Sequence, residues 1–97
     1  MAEKVILSLK AEQNRYDILK YYFDESGGHK IPLQIFEQLN NALETISVFP
    51  YSGKIINKKG YHVFVTKPYN IIYRINDDTI EILHIWDTRQ NPKNLPL

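Results

Sequence analysis

Three β-rich runs, Tyr61 to Thr66, Tyr69 to Ile75 and Thr79 to Trp86, are separated only by Lys67-Pro68 and by Asn76-Asp77-Asp78. Connectors this short close hairpins and nothing longer, so the spacing predicts a three-stranded antiparallel meander. In the middle run Tyr69, Ile71, Tyr73 and Ile75 alternate with Asn70, Ile72 and Arg74, which is the period of a strand. The last run, Ile80-Glu81-Ile82-Leu83-His84-Ile85-Trp86, is apolar on both faces through much of its length. That pattern suits an inner strand.

The first half has a different period. Residues 3–9 read as a short strand with Val5, Leu7 and Leu9 on one side. From Ala11 to Phe23 the apolar side chains fall at 11, 18, 19, 22 and 23, one face of a helix, with Glu12, Asn14, Asp17 and Lys20 on the other. Ser26-Gly27-Gly28 supplies a stop. A second helix starts around Ile31-Pro32, carries Phe36, Leu39, Leu43 and Ile46 on its main stripe, widened by Ile35 and Ala42, and ends before Pro50. About seven residues join the two, giving an antiparallel helical hairpin. Each helix has one apolar face, and the sheet must cover both. Pro50-Tyr51-Ser52-Gly53 reads as a turn and Asn57-Lys58-Lys59-Gly60 as a polar loop. The expected fold is α+β: an N-terminal strand, a helical hairpin, then the meander, with two helices packed on one sheet. The 97 residues suit a single domain, 1–97, with 87–97 as an irregular tail.

Composition narrows the chemistry. With no cysteine there is no disulfide framework and no thiolate site. The apolar runs are too short to span a bilayer, and the N-terminus is too short in apolar residues for a signal peptide, so a cytoplasmic protein without membrane contact is expected. Net charge is +1, which conceals a partition. Residues 1–44 carry −2 and residues 77–97 carry −2, whereas residues 45–76 hold Lys54, Lys58, Lys59, Lys67 and Arg74 with no acid, giving +5. Such a stretch makes a locally positive surface that attracts phosphates or acidic peptides, or else is a solvated loop and one polar sheet face.

His29, His62 and His84 are far apart, and none has another ligand type at helical spacing, so no metal or other cofactor is expected. Phosphate-cradling glycine loops and nucleophile motifs are absent. The remaining candidates are polar groups on or near the sheet: His62, Lys67, Asn70, Arg74 and Arg89, among Tyr51, Tyr61, Tyr69 and Tyr73. Interleaved cations and rings can stack bases and neutralise phosphates, while tyrosines at alternate positions also serve as packing. Arg89 directly follows the most apolar strand, where its guanidinium is aimed at a phosphate or carboxylate, or pairs with Asp87 or Asp78.

The element order, together with Pro50-Tyr51-Ser52-Gly53, Tyr69-Asn70-Ile71-Ile72-Tyr73-Arg74-Ile75 and Ile82-Leu83-His84-Ile85-Trp86-Asp87-Thr88-Arg89-Gln90-Asn91-Pro92, resembles the RelE/ParE superfamily of bacterial type II toxins. The resemblance covers nearly the whole chain. It implies a small cytosolic toxin encoded beside a cognate antitoxin, serving plasmid stabilisation or stress response. The antitoxin would cover apolar surface on the helical hairpin or an open sheet edge.

RelE-like members cut messenger RNA on the ribosome with basic side chains of the meander. Carried onto this chain, those places fall on His62, Phe64, Asn70 and Arg89, and no tyrosine follows Arg89. Arg89 and His62 would be the catalytic pair of such a nuclease, a set left incomplete unless Lys58 or Lys59 joins it. ParE-like members lack the array and poison DNA gyrase. The resemblance therefore favours a ParE-like toxin with Lys58, Lys59, Lys67, Asn70, Arg74 and Arg89 as target-binding residues. The alternatives are a ribosome-dependent endoribonuclease, or a decayed member that only binds its antitoxin.

Overall fold

The computed structural model describes residues 4–89. Its elements run β1 (Lys4–Leu7), α1 (Leu9–Ser26), α2 (Lys30–Val48), β2 (Lys54–Ile55), β3 (His62–Thr66), β4 (Tyr69–Asn76) and β5 (Thr79–Asp87). The three long strands form the antiparallel meander that their connectors dictate. The sheet has five strands in the order β1-β5-β4-β3-β2, with β1 parallel to β5. β5 is thus an inner strand, as its apolar faces require. The two-residue β2 is an edge that alternation alone does not reveal, since it is too short to show a period.

Register divides the sheet into two faces. Tyr69, Ile71 and Tyr73 of β4 lie beside Phe64 and His62 of β3 and beside Ile85 and Ile82 of β5. This face meets the helices through Ala11 and Ile18 of α1 and Ile35, Leu39, Ala42 and Ile46 of α2. Leu39 and Ile46 are fully enclosed. The buried stripe of α2 is therefore 35/39/42/46, while Phe36 is 39% exposed at its margin, against the sequence expectation. Asn70, Ile72 and Arg74 occupy the opposite face.

Several boundaries depart from the sequence reading. Leu9 opens α1 and is 88% exposed, because Ser8 caps the helix: its Oγ accepts from Ala11 N at 3.0 Å. The helices are joined by residues 27–29, a shorter link than the seven expected, since each helix runs further into the gap. Gly27 closes α1 in the left-handed region at φ 72°. Asp87 belongs to β5, not to the tail; the remaining tail positions, from 90 onward, lie outside the described residues.

Asn14, read as solvent-facing, serves the sheet. Tyr73 pairs with Ile82 and Ile72 with His84, so Leu83 is an extra residue in β5, a β-bulge. β1 ends opposite Ile82, and beyond that point α1 borders β5. Ser8 Oγ donates to the Leu83 carbonyl at 3.0 Å, and Ile85 N donates to Asn14 Oδ1 at 3.1 Å. Ser8, the cap of α1, and Asn14 within it thereby satisfy strand groups that would otherwise lack partners.

Candidate functional site

The positively charged middle segment is spread over three places. Lys58 and Lys59 are exposed in the β2–β3 loop, which Asn57 organises by accepting from Lys59 N at 3.0 Å and Tyr61 N at 3.2 Å. Lys67 is exposed in the β3–β4 turn at the other end of the sheet. Gln38 of α2 pins that turn by donating to the carbonyls of Thr66 and Lys67 at 3.0 and 2.9 Å. Asn70 and Arg74 project from the face away from the helices. There Arg74 Nε meets Glu81 Oε1 at 2.6 Å, so its charge is matched across the strand pair.

Arg89 is held on the helix side. Asp87, its side chain 1% exposed, accepts from Arg89 N at 2.9 Å, from Nε at 3.2 Å and from Nη2 at 3.1 Å. Nη2 also donates to the Tyr22 hydroxyl of α1. The guanidinium carbon lies 5.3 Å from the Tyr22 ring centroid and 6.0 Å from that of Tyr69. Burial, and secondarily the Asp87 carboxylate, push the Tyr69 phenol up to about 12. Thr88 ties this corner to the β3–β4 turn, its N and Oγ1 donating to the Pro68 carbonyl at 3.0 and 2.9 Å. Arg89 and Lys67 therefore share one end of the sheet. Of the two acids that sequence offers as partners for Arg89, the structure selects Asp87.

His62 sits elsewhere. It is 5% exposed, its ring stacks on Tyr73 at 5.1 Å and 18°, and Tyr51 meets it edge-on at 6.0 Å. Neither ring nitrogen has a partner among the described residues. Its strand partner Tyr73 stands four positions along β4 from Tyr69, a separation of roughly 13 Å at about 3.3 Å per residue. A guanidinium and an imidazole so placed do not converge on one phosphate.

The Tyr73 hydroxyl fixes the Pro50–Gly53 turn. It donates to the Pro50 carbonyl at 2.7 Å and accepts from Gly53 N at 2.9 Å. A Cβ on Gly53 would come within 2.6 Å of that oxygen, which is why glycine stands there. The turn is thus a scaffold that carries Tyr51 into the solvent, 77% exposed.

Sequence reasoning did not single out His84 and Trp86, which share the face of Asn70 and Ile72 through the β4–β5 register. His84 Nδ1 is buried without a partner among the described residues, and burial, followed by the charge of Lys10, lowers its pKa. Their signal is the even-numbered half of an apolar run, which reads as packing. On the helical hairpin, Tyr16, Leu19, Phe23 and Pro32 line an apolar groove of about 270 Å³. No group of three or more His, Cys, Asp or Glu among the described residues is placed to hold a metal ion. No described helix is long and apolar enough to cross a membrane.

This fold and its motifs have relatives. The family model described as the ParE toxin of the type II toxin-antitoxin system parDE matches residues 5–92. Toxin ParE3 of Caulobacter vibrioides is 29% identical over 69 residues, 69% of either chain. Among solved structures, the chromosomal ParDE system from P. aeruginosa superposes with a TM-score of 0.74 at 16% identity, over 87% of this chain and 94% of the other. The RelBE2 toxin-antitoxin complex of Mycobacterium tuberculosis gives 0.63 at 20% identity, over 88% and 96%. At those identities the two structures speak to the fold alone.

Proposed function

Since the chain belongs to the ParE toxin family of type II toxin-antitoxin systems, we propose that it arrests growth by binding DNA gyrase, cuts no RNA, and is neutralised by a cognate antitoxin. The observation that carries this reading is the separation of His62 from Arg89. RNA cleavage needs a proton acceptor, a cation and a proton donor around one phosphate. Here the imidazole is enclosed between tyrosine rings, and the guanidinium at the far end of the sheet is engaged by Asp87. Asn70, where the nuclease pattern has an arginine, lies on the other face of β4 from Tyr69. Binding requires no such convergence. Lys67 and Arg89 at one end of the sheet, Asn70 and Arg74 on its outer face, and Lys58 and Lys59 at the other end are the residues proposed to meet the target.

Three assays test it, one on the purified chain and two on cells that express it without antitoxin. Gyrase supercoiling of plasmid DNA should be inhibited, and induction in cells without antitoxin should raise a DNA-damage response. Messenger RNA read by primer extension should remain intact. Unaffected supercoiling together with transcripts cut in an Arg89-dependent manner would replace this reading with the ribosome-dependent nuclease.

A further inference from the structure

We infer that Phe49, Tyr51 and Ile55, with Val48 beside them, are the apolar centre of the surface by which the chain grips its protein target, and that the target meets them with an apolar area rimmed by acidic side chains. The inference rests on the reading of the chain as a toxin that acts by binding. None of these four residues belongs to the polar set proposed above to meet the target.

The four large apolar side chains face solvent within one short stretch: Val48 is 45% exposed, Phe49 63%, Tyr51 77% and Ile55 61%. They adjoin one another. Ser52 N donates to the Phe49 carbonyl at 3.0 Å, so Phe49 and Tyr51 sit in one closed turn. The Tyr51 ring meets His62 edge-on, and Ile55 stands directly across from His62 in the β2–β3 register, where paired residues share a face. At about 200 Å² per ring, Phe49 and Tyr51 alone leave on the order of 280 Å² uncovered. Val48 and Ile55 enlarge this to the size of the largest patch on an ordinary monomer, which is often functional. The patch is also ordered in advance, since the Tyr73 hydroxyl clamps the turn at the Pro50 carbonyl and at Gly53 N. Aromatic anchors held in their bound geometry lose little entropy on association, which is the property of an interface hot spot.

Charge selects the occupant. Lys54, Lys58 and Lys59 are exposed close by, none of them in a salt bridge among the described residues, and no acid occurs in residues 45–76. A second copy of the chain joined patch to patch about a two-fold axis would set these lysines against their own kind. A nucleic acid would answer the lysines and leave the rings in water. A protein surface with an apolar centre and an acidic rim answers both. The apolar groove on the helical hairpin is a separate place: its Pro32 and the patch residue Val48 stand at opposite ends of α2, roughly 24 Å apart at about 1.5 Å per residue. One partner can occupy the groove while another occupies the patch.

The test uses the full chain carrying Phe49→Ala, Tyr51→Ala, Ile55→Asp or Lys54→Glu, with Leu33→Ala on the hairpin as the control. All five positions are exposed, so the thermal midpoints should stay close to that of the unaltered chain. Colony counts after induction without antitoxin, at matched protein level, report arrest whatever the target is. The concentration that half-inhibits gyrase supercoiling reports the particular target. Each patch variant should raise both the survivors and the half-inhibiting concentration by about tenfold or more, and Leu33→Ala should change neither. Arrest that the patch substitutions abolish, in a chain that leaves supercoiling untouched, would keep the patch and remove gyrase as the target. Arrest that survives the patch substitutions, or that Leu33→Ala weakens equally, would overturn the inference, as would an unaltered chain that arrests nothing.

Discussion

Asp87 and Arg89 form a closed pair across a single intervening residue: one buried carboxylate takes the backbone N–H, Nε and Nη2 of the same arginine. Because the carboxylate is the enclosed partner and the guanidinium the half-exposed one, the two are unequal under mutation. Arg89→Ala leaves a buried charge with its strongest donors gone and should cost about 1–3 kcal/mol in urea unfolding. Adding Asp87→Asn to Arg89→Ala should recover part of that loss. A double variant no more stable than the single one would show that the pair contributes nothing beyond packing.

Gly53→Ala forces a methyl group against the Tyr73 hydroxyl, with the Val63 carbonyl 2.9 Å away on another side. We expect a loss of about 1–3 kcal/mol by overpacking. Tyr73→Phe removes two hydrogen bonds and should cost about 1–2 kcal/mol by itself. In combination the losses should be less than additive, because the phenylalanine no longer presents the oxygen that the methyl group strikes. A thermodynamic cycle by thermal unfolding measures this coupling.

His62→Phe keeps the ring stack on Tyr73 and removes two buried nitrogens that lack partners. Stability should hold or rise by about 1 kcal/mol, whereas His62→Ala opens a cavity and should cost about 2–4 kcal/mol. If toxicity proceeds by binding, His62→Phe should also remain toxic in cells. Loss of toxicity in a well-folded His62→Phe protein would instead point to imidazole chemistry.

The pH profile should fall at both ends for separate reasons. The Tyr69 phenol ionises near 10.0 when unfolded and near 12 in the fold, so its contribution is complete below pH 10 and is lost as pH climbs toward 12. Tyr69→Phe should flatten that alkaline decline. His84 is shifted the other way: as pH drops below the ordinary value of 6.5, the unfolded chain takes up a proton that the folded one resists. Stability present above that value is therefore lost on acidification, and His84→Asn should reduce the acid slope. Denaturant titrations from pH 5 to 8 and from pH 9 to 12 read the two effects separately.

The meander, the inner position of the last strand and the two helices were legible because they rest on period and connector length. These properties are local. Features that depend on distant partners were not legible. Ser8 looked like a strand residue until the Leu83 carbonyl gave its hydroxyl a second role. Asn14 reads as solvent-facing because nothing in sequence announces that the N–H of Ile85, 71 residues away beside the bulge, needs an acceptor. Spacing puts Phe36 at the start of the α2 stripe with Leu39, Leu43 and Ile46, yet Ile35 and Ala42 are buried in the core and Phe36 is left at its margin. At the candidate site, sequence named Arg89 and offered Asp87 as its partner. It could not say that His62 would stand at the opposite end of the sheet.

The place of β5 has a consequence for biosynthesis. Among the described residues β1 pairs only with β5, and Ser8, the cap of α1, and Asn14 within it bond to that same strand. A ribosome that has released everything before Thr79 has delivered both helices and four strands, but β1 and β4 both still lack β5 beside them. Folding must wait for the most distant contacts in the chain, which are the slowest to close. A product interrupted before Thr79 therefore carries β1 with no strand beside it and β4 with one side open.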